Sequence, residues 1–490
     1  MAKLDISNVI RVTLLSALMG LADVNTSALA LITDEVPIPA GYTHGVYLSP
    51  QGVATDFGSS SDTYRLANQV FAQTPNVLTG KGYLVIIPRE AAAAAQAATI
   101  IARFPVDLTK LSATDYKISL KIDAGSDADL AIGAIDSTTL ASAVSSLNST
   151  AVAAAGATFS AVGTVASATL TLKSNTTGAT SALVVATTAT GTDIATLIGM
   201  DSASVTGAAA GIERVKDAIL RTYQSVNYFG IILNAMPASG DLTELGAMLQ
   251  SMDKLLFVGS SSSADIAGLF TTVLNSGYTH TRCLYYSVSA DKALDFAAGY
   301  ASRALSIDFS ASNTAHTMHL KDIAGVVADP GMTQTLLTST GAAGVDCYVD
   351  FGVPKVFTSG ANKYFDQIYS ELAFKLKLQI AGFNYLAQSN TKIPQTEQGM
   401  SGLKSAYRQV ATAFVNNGVF APGVWLDPTT FGNPDDHIRN IKDYGYFIYS
   451  DPIAGQSAAD RAARVSPKVY IAGKDSGAIH STDVLVYVEA

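Results

Sequence analysis

The sequence predicts a mixed α/β and α+β multidomain chain: a parallel-sheet α/β body, an inserted β-rich domain, and a C-terminal α/β domain with strand-like terminal arms. Three observations carry that expectation. Between 213 and 304, short and wholly apolar segments such as Ile231-Ile232-Leu233 and Leu255-Leu256-Phe257-Val258 alternate with amphipathic helical stretches. Strands without polar alternation need cover on both faces, which βαβ crossovers provide. Residues 137–192 hold a single charged residue, Lys173, among Ala, Ser, Thr, Gly and Val, a composition unlike the flanking regions. Both chain ends read as bare strands, Ser7 to Leu14 and Ser481 to Val488, rich in β-branched residues whose backbone groups need a sheet edge.

Taken in order, residues 1–22 read as an N-terminal arm. Lys3 and Arg11 before the apolar stretch Val12 to Ala22, with Ala28-Leu29-Ala30 as a would-be cleavage site, imitate an export signal, but Asp5, Ser16 and Gly20 argue against it. Residues 23–104 form the first part of the body, with a helix from Tyr64 to Ala72 and a strand from Tyr83 to Ile87. Residues 105–212 form the insertion: strands at Tyr116 to Ile122, Leu130 to Ile135, Ala168 to Lys173 and Ala182 to Ala186, a helix from Thr138 to Asn148, and turns at Asp123-Ala124-Gly125 and Asn175 to Gly178.

The body resumes over 213–345. Helices are expected at Glu213 to Gln224, Leu242 to Met252, Ala264 to Leu274 and Asp291 to Leu305, between strands Tyr228 to Leu233, Lys254 to Val258 and Arg282 to Tyr286. The C-terminal domain, 346–478, should carry a long helix from Asn362 to Gln388, with Phe365, Ile368, Leu372, Leu376 and Ile380 on one stripe. A second helix, Ser401 to Asn417, is stopped by Gly418. Strands follow near Tyr446 to Tyr449 and Lys468 to Ile471, a flexible stretch at Gly473 to Gly477, and then a C-terminal arm, 479–490.

Composition excludes several function classes. At 490 residues the chain is too long for one core, and about two to four domains are expected. Apolar residues make up 48% and charged residues 14%, a low charge share that points to surface buried between subunits. The net charge is −9 with no basic run, so nucleic acid is not an expected partner. No apolar run reaches the roughly 20 residues of a bilayer span, so membrane insertion is not expected either. The two cysteines, Cys283 and Cys347, make no disulfide framework and suit a reducing compartment.

Candidate chemistry is sparse. The run Gly259 to Ser263 after an apolar strand suits a phosphate cradle but lacks a Walker lysine and a G-x-G-x-x-G spacing, and reads better as a helix cap. His316 and His319 have an H-x-x-H spacing, and Asp435-Asp436-His437 groups possible ligands, yet neither supplies the three or four convergent groups of a metal site. Asp123, Asp127 and Asp129 lack the closing glutamate of a calcium loop. No catalytic residue, cofactor or metal is expected.

Several stretches share an outline with one family. Gly52-Val53-Ala54-Thr55-Asp56-Phe57-Gly58, followed by Ser60 to Tyr64 and a helix to Phe71, resembles a stretch near the start of phage contractile tail sheath proteins. Tyr116 to Gly211 resembles the Ala/Thr-rich insertion of one branch of that family. Ile393-Pro394-Gln395-Thr396-Glu397-Gln398-Gly399, and then Asn417-Gly418-Val419-Phe420-Ala421-Pro422-Gly423, resemble the same branch. The resemblance implies a virion structural protein, assembled in the host cytoplasm. Its subunits would stack as hexameric rings around a tail tube, between baseplate and tail terminator proteins, and contract to drive the tube through the host envelope.

The arms would pair with a neighbouring subunit, through Val9, Ile10, Val12 and Leu14 at one end and Val484, Leu485, Val486, Tyr487 and Val488 at the other. Lys404 and Arg408, at i and i+4 on a helix, are candidates for the tube contact. The low charge departs from the pattern in leaving no evident basic face for an acidic tube. Two other classes remain open at this point: an exported surface-layer or adhesin protein, and an α/β enzyme binding a phosphate-containing ligand.

Overall fold

The computed structural model describes residues 25–482 and 484, except 40, 91–96, 179, 187–190, 202 and 208–211. The described residues fall into two compact units. One comprises 25–307 with 316–368; the other comprises 308–315 with residues from 369 onward.

The first unit opens with β1 (Leu29–Thr33), buried at every position. The short β2 (Gly45–Tyr47) leads into α1 (Pro50–Phe57), which starts on a proline whose missing N–H costs nothing at that position. Helix α2 (Asp62–Phe71) is capped twice. Ser61 Oγ accepts from Tyr64 N–H, and the Glu35 carboxylate accepts from Asp62 N–H at 2.9 Å and Thr63 N–H at 2.8 Å, supplying negative charge to the positive helix end. Strand β3 (Leu84–Pro88) follows, again wholly buried.

The chain then enters the inserted region: β4 (Thr99–Ile101), β5 (Tyr116–Ile122), β6 (Ala128–Gly133), α3 (Leu140–Leu147), α4 (Thr150–Ala155), β7 (Ala157–Thr164), β8 (Ser167–Ser174), β9 (Ala182–Ala186), β10 (Thr192–Asp193), α5 (Ile194–Leu197) and β11 (Ser204–Thr206). Strands β4, β8 and β7 form one antiparallel sheet. Strands β10, β5, β9 and β11, with β6 also on β5, form another. Together they enclose a separate core that includes Ile118, Leu120, Leu147, Phe159, Leu170, Leu172 and Leu183.

Returning to the body, α6 (Val215–Thr222), β12 (Gly230–Leu233), α7 (Ser239–Ser251), β13 (Leu255–Ser260), α8 (Ser263–Asp265), a π-helical turn at Ile266–Phe270, α9 (Thr271–Asn275), β14 (Thr281–Tyr285) and α10 (Ala290–Ala304) alternate as the sequence predicts. Helix α11 (Gln334–Ala342) and strands β15 (Val345–Asp350) and β16 (Pro354–Phe357) complete one eight-stranded sheet, in the order β16-β15-β14-β13-β12-β1-β3-β2. Its inner strands are parallel, and β16 and β2 close its ends in antiparallel fashion. One face carries a core shared with α6, α7, α9 and α11, and α2 and α10 pack against the other.

A fully buried ion pair sits in this unit. Arg282 Nε donates to Asp346 Oδ2 at 2.7 Å, Tyr300 Oη donates to the same oxygen at 2.7 Å, and Ser359 N–H donates to Oδ1 at 2.7 Å. Arg282 also donates to the carbonyls of Lys363 and Ser359, so both charges are hydrogen-bonded on all sides, which is what makes their burial tolerable.

The second unit contains α12 (Phe365–Ala387), which the chain enters from the first unit between Ile368 and Tyr369, then α13 (Glu397–Asn417), α14 (Pro434–Tyr444), β17 (Tyr446–Ser450), α15 (Ala458–Ala462) and β18 (Val469–Gly473). An aromatic cluster fills it. Phe414 stacks on Phe309 at 5.2 Å and meets Phe374 edge-on at 4.9 Å, and Phe374 meets Phe420 at 5.0 Å. The buried Asn417 amide donates to Asp308 O, Ala311 O and Thr314 Oγ1, tying residues 308–315 to the end of α13. Gly418 stops α13 at φ +96°, the left-handed conformation a C-terminal glycine supplies.

Several expectations are corrected. A strand not expected from the sequence, β1, begins within Ala28-Leu29-Ala30 and pairs with β12 on one side and β3 on the other. The segment from 346 onward does not open the C-terminal domain, because β15 and β16 finish the body sheet and the body runs to Ile368. The inserted region begins before 105, since β4 pairs with β8 at Thr99↔Lys173. The stretch Gly473 to Gly477 is not a loose tether. Ala421 N–H donates to Lys474 O at 3.0 Å and Ser476 N–H to Val419 O at 2.9 Å.

Candidate assembly surfaces

Among the described residues, the second unit holds one sheet, of two strands. β17 and β18 pair antiparallel from Tyr446↔Gly473 to Ser450↔Val469. Lys474 N–H donates to Gly445 O, and Asp451 N–H to Lys468 O, which fixes the phase of the ladder. Bonded pairs recur at every second position, so residues 447 and 449 face 472 and 470. The N–H and C=O groups of Tyr446, Ile448 and Ser450 therefore point outward on one edge, and those of Val469, Ile471 and Gly473 on the other. A two-stranded ribbon is marginal alone in water. Its two edges, open among the described residues, each have the length of a short added strand.

Packing holds this ribbon in place. Helix α14 starts on Pro434, with the Asn433 side chain capping Asp435 N–H, and ends on Gly445 at φ +79°. That turn delivers the chain directly into β17. From the loop before α14, Phe431 lies over both strands, stacked at 5.5 Å on Phe447 and 5.4 Å on Tyr470. Helix α13 packs on β17, and Thr412 Oγ1 and Tyr446 Oη share a hydrogen bond at 2.9 Å. Helices α12 and α13 interlock through Tyr385, whose ring occupies the space that a Cβ on Gly402 would need, and Tyr407, which does the same over Gly382.

Of the arm residues named from sequence, Val484 is described. It stands 74% exposed and outside any strand of its own chain. Val9, Ile10, Val12, Leu14, Leu485, Val486, Tyr487 and Val488 lie outside the described residues. Lys404 and Arg408 both fall on α13; Lys404 is half-buried and Arg408 exposed, while Leu403 and Phe414 of the same helix are buried.

The residues weighed as chemical candidates go to separate partners. His316 Nε2 lies 3.1 Å from Arg303 O, and His319 Nδ1 lies 3.1 Å from Thr358 Oγ1. Ser260 Oγ donates to Asp265 Oδ2 and accepts from Ser262 N–H, so a carboxylate already occupies the serine run. Asp123 accepts from Thr176 Oγ1 and Ala182 N–H, fastening two turns of the inserted region. Cys283 and Cys347 are buried free thiols whose pKa values burial pushes up, which makes them unreactive. Among the described residues no group of three or more His, Cys, Asp and Glu converges as a metal site.

His437 departs most from expectation. Weighed from sequence as a possible metal ligand beside Asp435 and Asp436, it has no solvent exposure. Its ring lies 4.7 Å from Phe431, 5.1 Å from Trp425 and 5.1 Å from Phe447. The signal was present in the spacing: an i, i+4 pair with Ile441 puts it on the buried face of an otherwise charged helix.

Comparison with known proteins gives one family match. The family described as E217 tail sheath protein gp31-like, C-terminal domain, matches residues 365–488, which places the similarity on α12 through the C-terminal segment, as the sequence resemblance implies. No curated protein matches. Among solved structures, the helical sheath of the anti-feeding prophage in its contracted state aligns over 100% of both chains at 9% identity and a TM-score of 0.49. The D2-D3 domains of the flagellar cap protein FliD from Escherichia coli align with 26% of this chain and 70% of theirs, at 21% identity and a TM-score of 0.19.

Proposed function

We propose that the chain is a structural subunit of a contractile phage tail sheath, polymerising with copies of itself around a tail tube and contracting to drive that tube through the host envelope. The two open edges of the β17–β18 ribbon, inside the segment that matches a tail sheath C-terminal domain, carry this reading. The arms, residues 1–22 and 479–490, are the strands proposed to fill them from neighbouring subunits. On an added C-terminal strand, Val484, Val486 and Val488 would project to one face and Leu485 and Tyr487 to the other.

Each backbone hydrogen bond so gained contributes about 1 kcal/mol net, a weak link individually. Repetition around a ring and along a helix makes the mesh strong by multivalency. The exposed Arg408 and half-buried Lys404 on α13 are the proposed tube contact. Assembly would take place in the host cytoplasm, with baseplate and terminator proteins at the ends.

Removal of residues 479–490 tests the reading. Folded, soluble subunits that form no cross-striated tubes under negative-stain microscopy are expected, beside tubes from the intact chain. Normal tubes from the truncated chain would overturn the arm exchange.

A further inference from the structure

We propose that His437 is an acid-sensitive latch: uncharged, it holds Phe431 across the β17–β18 ribbon, and protonation releases Phe431 together with the loop that carries Trp425. The hydrogen bond sets the logic. Phe431 N–H donates to His437 Nδ1 at 3.4 Å, so Nδ1 must be the unprotonated nitrogen and the ring's proton sits on Nε2. Nε2 is buried and without a hydrogen-bond partner among the described residues. A second proton can enter only at Nδ1, where it would face the Phe431 N–H donor, so the bond is replaced by a repulsion between two donors. The resulting imidazolium would sit among Trp425, Phe431 and Phe447 with no water to solvate it.

Charged and titratable groups are carried by the elements around the ring. The loop before α14 has Asp427, its carboxylate engaged by Thr429 N–H at 2.7 Å. Strand β17 has Tyr446 and Tyr449. Strand β18 has Tyr470, with Lys468 over its ring at 5.3 Å. Helix α14 itself has Asp435, Asp436, Arg439, Lys442, Asp443 and Tyr444, of which Asp436 is paired with Arg439. None of these carboxylates compensates the buried ring. Burial is the leading influence, and it holds the pKa of His437 below the ordinary histidine value.

The sign follows from that depression. The unfolded chain takes up the proton first, so the stability contributed by neutral His437 is complete above about pH 6.5. It is lost progressively as pH falls from there through the lower folded value. Because Phe431 stacks on one residue of each strand, its release uncovers the ribbon. The further step, that arms then detach in acid, rests on the sheath reading; the latch does not.

Trp425 is the only tryptophan in the chain and lies against His437, so fluorescence excited at the red edge, where tyrosine does not absorb, reads this site alone. The experiment is a titration of the full-length subunit from pH 7.5 to 4.5, beside His437→Gln, which keeps an acceptor for Phe431 N–H but cannot charge, and His437→Phe, which refills the cage should the glutamine variant fail to fold. The wild type is expected to show one reversible loss of Trp425 intensity with a midpoint below pH 6.5, with far-UV circular dichroism unchanged, and the folded variant should show none. A step that persists in the variants, or a wild type with no step over that range, overturns the latch. If tubes form at pH 7.5, their disassembly in acid should follow the same midpoint and be absent for His437→Gln. Failure of the wild type to form tubes at any pH would count against the sheath reading and leave the fluorescence result to decide the latch.

Discussion

At the scale of single residues, the strongest constraints on this chain are polar groups that have been taken fully out of water. Asp346 accepts from Arg282, Tyr300 and the Ser359 backbone, so the carboxylate joins β14, α10 and the segment that enters α12. Asp346→Ala strands a buried guanidinium, and a loss of about 3–5 kcal/mol is expected, read as a fall in the urea midpoint with unchanged slope. Replacing both charges, as Arg282→Met with Asp346→Leu, should recover most of that loss, because the desolvation penalty disappears with the pair. A double variant as unstable as the single one would show that the pair's geometry is itself required. Half-buried Ser261 behaves oppositely: its change to alanine should shift stability by less than about 0.5 kcal/mol.

At the scale of elements, the open ribbon predicts a proline asymmetry. Ile448 and Ile471 face each other across the ladder, yet their backbone N–H groups point to opposite outer edges. Proline at either position removes no bond within the ribbon and fits a strand edge, but it deletes a donor that an incoming strand needs. Ile448→Pro and Ile471→Pro subunits should therefore stay monomeric and folded by circular dichroism, and each should fail to form tubes if its edge receives an arm. Tubes from one of the two would identify the edge left empty, and tubes from both would remove strand exchange through this ribbon. The ribbon strands were legible in the sequence, as were the wholly apolar strands of the body and the one-faced helices, because burial on both sides or on one side leaves a direct pattern. Strand β1 was not: its first residues fall within Ala28-Leu29-Ala30, which after an apolar stretch imitates the end of a processed leader. Strand β7 was missed because Ala, Ser and Gly carry little strand signal. Its edge is secured by Asn148, whose side-chain amide bonds both the N–H and the C=O of Phe159. The i, i+4 spacing with Ile441 records that His437 is buried, but its cage joins α14 to a loop and a strand, and local spacing does not name those partners.

At the scale of the whole molecule, the inserted region is expected to be dispensable for assembly. It has its own core and two sheets of its own, and it enters between β3 and α6, a strand of the body sheet and a helix packed on it, and that sheet is complete without it. Its hold on the body is local: Gly240, at the start of α7, lies so close to the Ser204 backbone that a Cβ there would overlap Ser204 O. Excision must respect the observed strand pairing. A cut at 105 would leave β4 without β8, so the replacement has to run from about Ala97 to Gly207, with a short Gly/Ser linker in its place. Long surface insertions add only slowly to loop-closure cost, and the reverse operation should be equally mild. The shortened chain is expected to fold with one cooperative transition fewer by calorimetry and to form tubes of reduced outer diameter, since an insertion of low charge and many turns is placed by this reading on the outside of the assembly. Tubes of unchanged diameter would put the region in the interior. A folded body that forms no tubes would make the inserted region part of the contact between subunits, and would move the centre of assembly away from the β17–β18 ribbon.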